Sequence, residues 1–242
     1  MGDTWLEQAV LLDPDNDGWD FASSVSISGE FAIIGKTRGS DNGISSGYAY
    51  IYKQVGDSWT KQAKLLPSDG DNGDFFGKSV SISGDYAAIQ SYKSTYLFQK
   101  CGEHWIETNQ NNYGNIFSTS EEYVISGFAH DNNMTGAAYV YAMNQSPILT
   151  VATLHSEVSE YAGAISIGIK IYNTEHKSVK WSATTDASWL NIKSGSTGIN
   201  EGSILLKYNK NSMDERIAEV KVTVPQAIQG IQTVTIKQKK NK

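Results

Sequence analysis

The chain of 242 residues is long enough for one large or two medium domains, each with a core of its own. Hydrophobic residues make up 39% and charged residues 19%, the balance of a polar-surfaced globular chain, and its 22 Gly and 13 Tyr suit a turn-rich β protein. The net charge of −6 argues against nucleic acid as partner, the single cysteine (Cys101) excludes an internal disulfide, and no apolar run approaches the ~20 residues of a membrane span.

Charge is divided unevenly. Residues 1–145 hold 8 Lys+Arg against 18 Asp+Glu, or −10, whereas residues 146–242 hold 12 against 8, or +4. A shift this abrupt predicts a domain boundary near Ser146-Pro147, separating a first domain over 1–145 from a second over 147–240. Met1 opens directly into polar sequence without the charged and apolar regions of a signal peptide.

The first domain repeats itself. Phe21 to Ala32 (FASSVSISGEFA) returns as Phe76 to Ala87 (FGKSVSISGDYA), a period of about 50 residues that points to a propeller or similar array. Trp5, Trp59 and Trp105 pace three units, at about 4–55, 56–101 and 102–144. After the first two tryptophans comes an alternating run, Ala9-Val10-Leu11-Leu12 or Ala63-Lys64-Leu65-Leu66, then an acidic, Gly-bearing loop. The shared motif follows with Val25, Ile27 and Val80, Ile82 on one face by period two. A tight turn leads to a second apolar strand, and an aromatic strand closes each unit (Tyr48 to Tyr52, Tyr96 to Phe98, Ala138 to Tyr141). Four strands per unit is the content of one propeller blade. The third unit keeps the hairpin rhythm over Ser118 to Gly127 but has lost the acidic loop.

These features, with the Asp69-to-Gly77 loop and its Phe-Gly, resemble the bacterial FG-GAP repeat family, relatives of the blades of integrin alpha-chain propellers. The first repeat departs from the pattern with Phe21-Ala22 in place of Phe-Gly. Three blades fall short of the four to eight that close a ring. Missing blades from a longer chain, a homo-oligomer that completes the ring, and an open stack of three all remain consistent with the sequence.

The second domain reads as seven short strands with no helical period: Ile148–Leu154, Ala164–Tyr172, Val179–Ala183, Trp189–Lys193, Ser203–Tyr208, Ala218–Val224 and Thr233–Gln238. That density predicts a β-sandwich. The order Trp181, Trp189-Leu190, Asn209, Arg216-Ile217-Ala218 and Gln238 resembles the BACON domain, an immunoglobulin-like module of bacterial surface proteins and carbohydrate-active enzymes. The resemblance implies binding of glycans or mucin. The fold expected overall is all-β: three propeller-type blades followed by an Ig-like β-sandwich.

Asp13, Asp15, Asp17 and Asp20 are candidate calcium ligands, because alternate carboxylates can converge on one hard cation; Asp69, Asp71 and Asp74 offer a second such loop. The EF-hand form fails, since its twelfth position is Ser24 and not Glu. The alternative is that these side chains shape the turn by bonding nearby N–H groups. Trp19 and Tyr113 lie in loops and are candidates for stacking on sugar rings, whereas Trp181, Trp189, Tyr50 and Tyr52 read as packing. Gly43-Ile44-Ser45-Ser46-Gly47 matches G-x-S-x-G but lacks a strand-to-helix context, and His104, His130, His155 and His176 lack metal spacing.

The sequence therefore predicts no enzyme and no required cofactor, with calcium as the one candidate ion. It predicts a non-catalytic, extracellular or cell-surface binding protein for a glycan or glycoprotein. The alternatives are an assembly module and the accessory region of a larger carbohydrate-active enzyme.

Overall fold

The computed structural model describes residues 6–16, 19–111, 116–128, 135–143, 146–175 and 177–240. Every regular element among them is a β-strand, and the chain forms two compact units, Met1–Asn144 and Gln145–Lys242.

The first unit holds three antiparallel sheets. Sheet 1 runs β1 (Phe21–Ser28), β2 (Phe31–Lys36), β3 (Tyr48–Val55), β4 (Ser58–Leu65); sheet 2 runs β5 (Ser79–Ser83), β6 (Tyr86–Gln90), β7 (Thr95–Cys101), β8 (His104–Asn111). Sheet 3 has β9 (Ile116–Thr119), β10 (Tyr123–Phe128) and β11 (Ala137–Ala142). Each is a meander in sequence order, and the sheets stack face to face. Phe31, Ile33, Ala49, Ile51 and Leu65 of sheet 1 share a core with Val80, Ile82, Ala87, Ile89, Tyr96 and Phe98 of sheet 2. The reverse face of sheet 2, with Ala88 and Leu97, packs on Phe117, Val124 and Tyr141 of sheet 3.

The repeated Ser-Val-Ser-Ile-Ser explains the stacking. Side chains alternate across a strand, so its Val and Ile face the preceding sheet while its serines face the following one. Ser26 and Ser28 accept hydrogen bonds at Oγ from the amides of Ile82 and Gly84, both at 3.2 Å. One step on, Ser81 Oγ accepts from the Thr119 amide at 3.0 Å and lies 2.9 Å from Thr119 Oγ1.

The expected phase of the blades needs correction. The sequence units begin on a tryptophan strand, but that strand belongs to the sheet before it. Trp59 lies on β4, the last strand of sheet 1, and Trp105 on β8, the last strand of sheet 2. Sequence repeat and sheet are thus offset by one strand, sheet 3 has three strands among the described residues, and residues 9–12, expected as a strand, form none. A strand exists only through its neighbour's hydrogen bonds, and residues 9–12 join no sheet among the described residues.

The Phe-Gly step is a close backbone crossing. Gly77 adopts φ +90°, its carbonyl accepts the Ser24 hydroxyl at 2.7 Å, and a Cβ there would lie 2.7 Å from the Tyr48 carbonyl oxygen. In the first repeat Ala22 takes the same left-handed region at φ 61°, where a Cβ is strained.

The second unit is a sandwich of two layers, with strands antiparallel except where His155–Val158 joins Ile231–Gln238. One contains β12 (Ile148–Val151), β14 (Gly163–Tyr172), β18 (Glu201–Tyr208) and β16 (Leu190–Ser194). The other contains β15 (Lys180–Thr185), β19 (Arg216–Thr223), β20 (Ile231–Gln238) and β13 (His155–Val158); the short β17 (Thr197–Ile199) bridges β15 and β18. Ile167, Ile169, Ile204 and Leu206 of one layer meet Trp181, Val220, Val222 and Ile236 of the other in one core. The predicted strand Ile148–Leu154 is shorter in the structure: it pairs with β14 as β12 and ends at Val151, after which the chain crosses to the other layer and pairs in parallel with β20 as β13, a strand the sequence reading missed.

Several residues that carried the second resemblance form a polar knot around the buried Gln238. Gln238 donates from Nε2 to the carbonyls of Ser159 and Asn209, both at 2.9 Å, and accepts at Oε1 from Arg216 Nε at 2.9 Å. Arg216 also donates to the Asn209 carbonyl at 3.0 Å and lies 4.5 Å from the centre of the Trp189 ring.

The two Phe-Gly steps should respond oppositely to substitution. Ala22→Gly relieves a positive-φ alanine and is expected to stabilise the first unit by about 1 kcal/mol. Gly77→Ala drives a Cβ into backbone and is expected to cost at least about 2 kcal/mol. Chemical denaturation of both variants checks the pair.

Candidate functional site

The two acidic, Gly-bearing loops lie at one end of the sheets of the first unit. That end gathers the loop before β1, the β2–β3 loop, the loop between β4 and β5 and the β6–β7 loop. The loops are tied to one another across repeats. Gly73, Phe75 and Phe76 donate backbone hydrogen bonds to the carbonyls of Ile44, Ser45 and Ser46 at 2.8–3.1 Å, and Asn72 Oδ1 accepts from the Ile44 amide at 2.7 Å. The Gly43–Gly47 segment is therefore a strut against the next repeat. Ser46 is buried with its hydroxyl on the Gly39 carbonyl and the Asn42 amide.

The candidate calcium carboxylates already hold cations of the chain itself. Asp13 Oδ2 pairs with Lys36 Nζ at 2.6 Å; Asp15 pairs with Lys64 at 2.6 Å and faces Lys61 at 3.9 Å. Asp20 turns to Arg38 at 3.0 Å and accepts from Thr37 Oγ1 at 3.2 Å. Asp17 lies outside the described residues, as do Tyr113, Trp5, His130 and His176. Among the described residues no three His, Cys, Asp or Glu side chains converge on a metal position.

Lys36 is the cation that most needs its partner, for its side chain is fully buried. A buried ammonium is tolerated only when paired. Lys64 bridges Asp15 and Asp41 (2.5 Å) and stands 3.7 Å above the Tyr48 ring. Burial works against its charge, but the bonds to Asp15 and Asp41 outweigh that and raise its pKa. The Lys64 bond, and the Tyr50 phenol beside it, hold Asp15 below the usual carboxylate range. Burial, with Asp15 nearby, pushes Tyr50 far up.

The second repeat rebuilds this arrangement with other partners. Asp69, at the place of Asp15, accepts from Tyr96 Oη at 2.7 Å and from Gln110 Nε2 at 2.8 Å, and the Tyr96 bond lowers its pKa. Asp74, almost fully buried, accepts the Asp71 amide at 2.7 Å and pairs with Lys93 at 2.8 Å. The acidic loops thus clamp the start of each aromatic strand.

The loop end exposes aromatic side chains beside Ile44 and Asp71. Trp19 is 78% exposed and Tyr92 64% exposed. Tyr92 packs against Phe75 with ring centres 4.9 Å apart, and Lys78 Nζ lies 4.5 Å from the Tyr92 ring centre. Sequence reasoning picked out Trp19 but passed over Phe75 and Tyr92. The signal was the two aromatics of Asp74-Phe75-Phe76, of which one enters the core and the other, at φ 51°, is turned outward. Trp181 is buried and Trp189 half-buried in the sandwich core; Tyr50 and Tyr52 pack on sheet 1, as expected.

Two outcomes follow for stability. Asp13→Ala removes the carboxylate 2.6 Å from the buried Lys36 ammonium and is expected to cost about 3 kcal/mol, whereas Asp20→Ala, at an exposed pair, costs less than about 1 kcal/mol; thermal melts of both check the contrast. The depressed carboxyls of Asp15 and Asp69 contribute stability that is complete above their unfolded pKa of about 4 and lost as pH falls through the lower folded values. Melting temperature should therefore fall below about pH 4, and Asp69→Asn should flatten that fall.

Residues 5–52 and 59–96 match the FG-GAP repeat family. A comparison with curated proteins gave no match. Among solved structures, a GH5 xyloglucanase of Bacteroides ovatus, in complex with a XXXG heptasaccharide, is 21% identical over 38% of this chain, with a TM-score of 0.33. This chain spans 19% of that enzyme's length. WR4, an MSP family member of C. elegans, is 8% identical over 39% of this chain and 98% of its own, with a TM-score of 0.29. PapD-like domain 7 of human CEP192 is 5% identical over 42% of this chain and 91% of its own, with a TM-score of 0.31. Over its first two repeats, this chain is similar to the FG-GAP repeat family.

Proposed function

We propose that this chain is a non-catalytic, extracellular binding protein, and that its first unit meets a glycan or glycoprotein at the loop end of the sheets. The observation that carries this reading is the pair of aromatic sites there, Trp19 and the Phe75–Tyr92 pair, on loops braced by the next repeat. Aromatic faces stack on the apolar faces of sugar rings, and a braced loop loses little entropy when it binds. The similarity to FG-GAP repeats favours a binding module. The second unit, in this reading, is a BACON-like sandwich that adds avidity toward the same class of ligand. Its Trp189–Arg216–Gln238 knot is then structural, and its binding surface lies elsewhere on the sandwich.

The lysine-neutralised loops need no calcium in this proposal, and no group in them is poised for catalysis. A glycan array and a mucin pull-down test it. Binding is expected in at least one, unaffected by a chelator, and about tenfold weaker, or ~1.4 kcal/mol, in Trp19→Ala and in Tyr92→Ala. A blank array together with a blank pull-down would sink the reading.

A further inference from the structure

The stack of sheets in the first unit ends in two faces that match each other. Inside the stack, the forward face of each sheet is covered by the next: Ile33 and Ile51 of sheet 1 are 0% exposed, and Ala88 and Leu97 at the same places in sheet 2 are 0% and 3% exposed. Their counterparts in sheet 3, Ile125 and Val140, are 47% and 64% exposed. The rearward face shows the converse. Val80 and Ile82 of sheet 2 are 8% and 5% exposed against sheet 1, while Val25 and Ile27 of sheet 1 are both 66% exposed. An uncovered forward face thus sits at one end, and at the other the β1 strip of the rearward face is uncovered, while Ala32, Ile34, Tyr50 and Tyr52 behind β2 and β3 are 8% exposed or less, with Leu11, Phe21 and Trp59 packed on them.

A strand and an edge are unmatched in the same sense. Strands β3 and β7 each bond a fourth strand, but β11, at their place in sheet 3, bonds only β10 among the described residues. Residues 8–12, Gln-Ala-Val-Leu-Leu, repeat residues 62–66, Gln-Ala-Lys-Leu-Leu, which run along and just past β4. Leu11 packs on the rearward face of sheet 1, as Leu65 packs in the core between sheets 1 and 2, and Tyr52 Oη donates to the Leu12 carbonyl at 3.1 Å. The segment is therefore held where the last strand of a preceding sheet belongs.

We propose that two copies of this chain close a ring of six sheets. The forward face of sheet 3 in each copy covers the rearward face of sheet 1 in the other, and residues 6–12 of each copy add to the partner's β11 as its fourth strand. The contact repeats, across copies, the interface already made twice within one chain. It is head-to-tail, so it must close or run on as a filament. Two copies give six sheets, within the four to eight of known propeller rings, whereas three give nine. This proposal is independent of what the loop end binds.

Sedimentation velocity of the full chain over a hundredfold concentration range tests it. The expected result is a monomer–dimer equilibrium with no larger species. Ile125→Glu with Val140→Glu, at exposed positions, should raise the dimer dissociation constant at least about a hundredfold, with an unchanged circular dichroism melt at monomer concentrations. Val25→Glu, on the opposite face, should do the same, and mixing the two variants should restore a heterodimer through the one contact left intact. Ala9→Pro with Val10→Pro should also weaken the dimer, because one of two consecutive N–H groups must point at the partner edge. A wild-type chain that stays monomeric, or that forms open filaments, would overturn the proposal, as would a dimer indifferent to the face variants. A dimer indifferent to the double proline would overturn the strand addition.

Discussion

The inner strands β1, β5 and β9 lie side by side without sharing a backbone ladder, and the first unit depends on how they manage it. Serine hydroxyls take the place of the missing ladder: Ser26 and Ser28 reach the amides of β5, and Ser81 reaches the amide of Thr119. Each hydroxyl satisfies an amide that the close approach of two sheets would otherwise strand. Because side chains alternate, the same five residues place Val and Ile against the sheet behind. One short motif thereby sets the order, the facing and the spacing of the sheets.

The loop end follows from this arrangement. Stacked sheets bring the same loops to the same side, and each acidic loop secures the aromatic strand of its own repeat, through Lys36 and Lys64 in the first and through Tyr96, Gln110 and Lys93 in the second. Asp13, Asp15, Asp69 and Asp74 are therefore spent on fixing the loops, and Trp19 and Tyr92 are among the side chains left facing outward.

The period-two motif made the strands and the all-β class legible in the sequence, because alternation is imposed by the pleat itself. The phase of the sheets was not legible. Similarity marks which residues recur but not which neighbour they bond, so Trp59 and Trp105 opened the sequence units yet close the sheets. Residues 9–12 and the run from Ile148 to Leu154 show the same limit, since strand character there is decided by a partner remote in sequence. At the candidate site, Asp13 and Asp15 stood out as an acidic run, but their partners lie 23 and 49 residues away. Lys36 carried a usable signal: a lysine ending the apolar strand Phe-Ala-Ile-Ile-Gly-Lys has to find an anion when that strand is buried. Tyr92 sits in a four-residue connection with no motif, and only the Phe75 ring beside it gives it meaning.

The one-strand offset between repeat and sheet has a mechanical consequence. A cut made at the border of a sequence repeat passes through the middle of a hydrogen-bonded sheet, for β3 belongs to one repeat and β4 to the next. Peeling any repeat away thus strips the outermost strand from its predecessor. Tension on the chain is shared like the load on overlapping roof tiles, and the row must give way together.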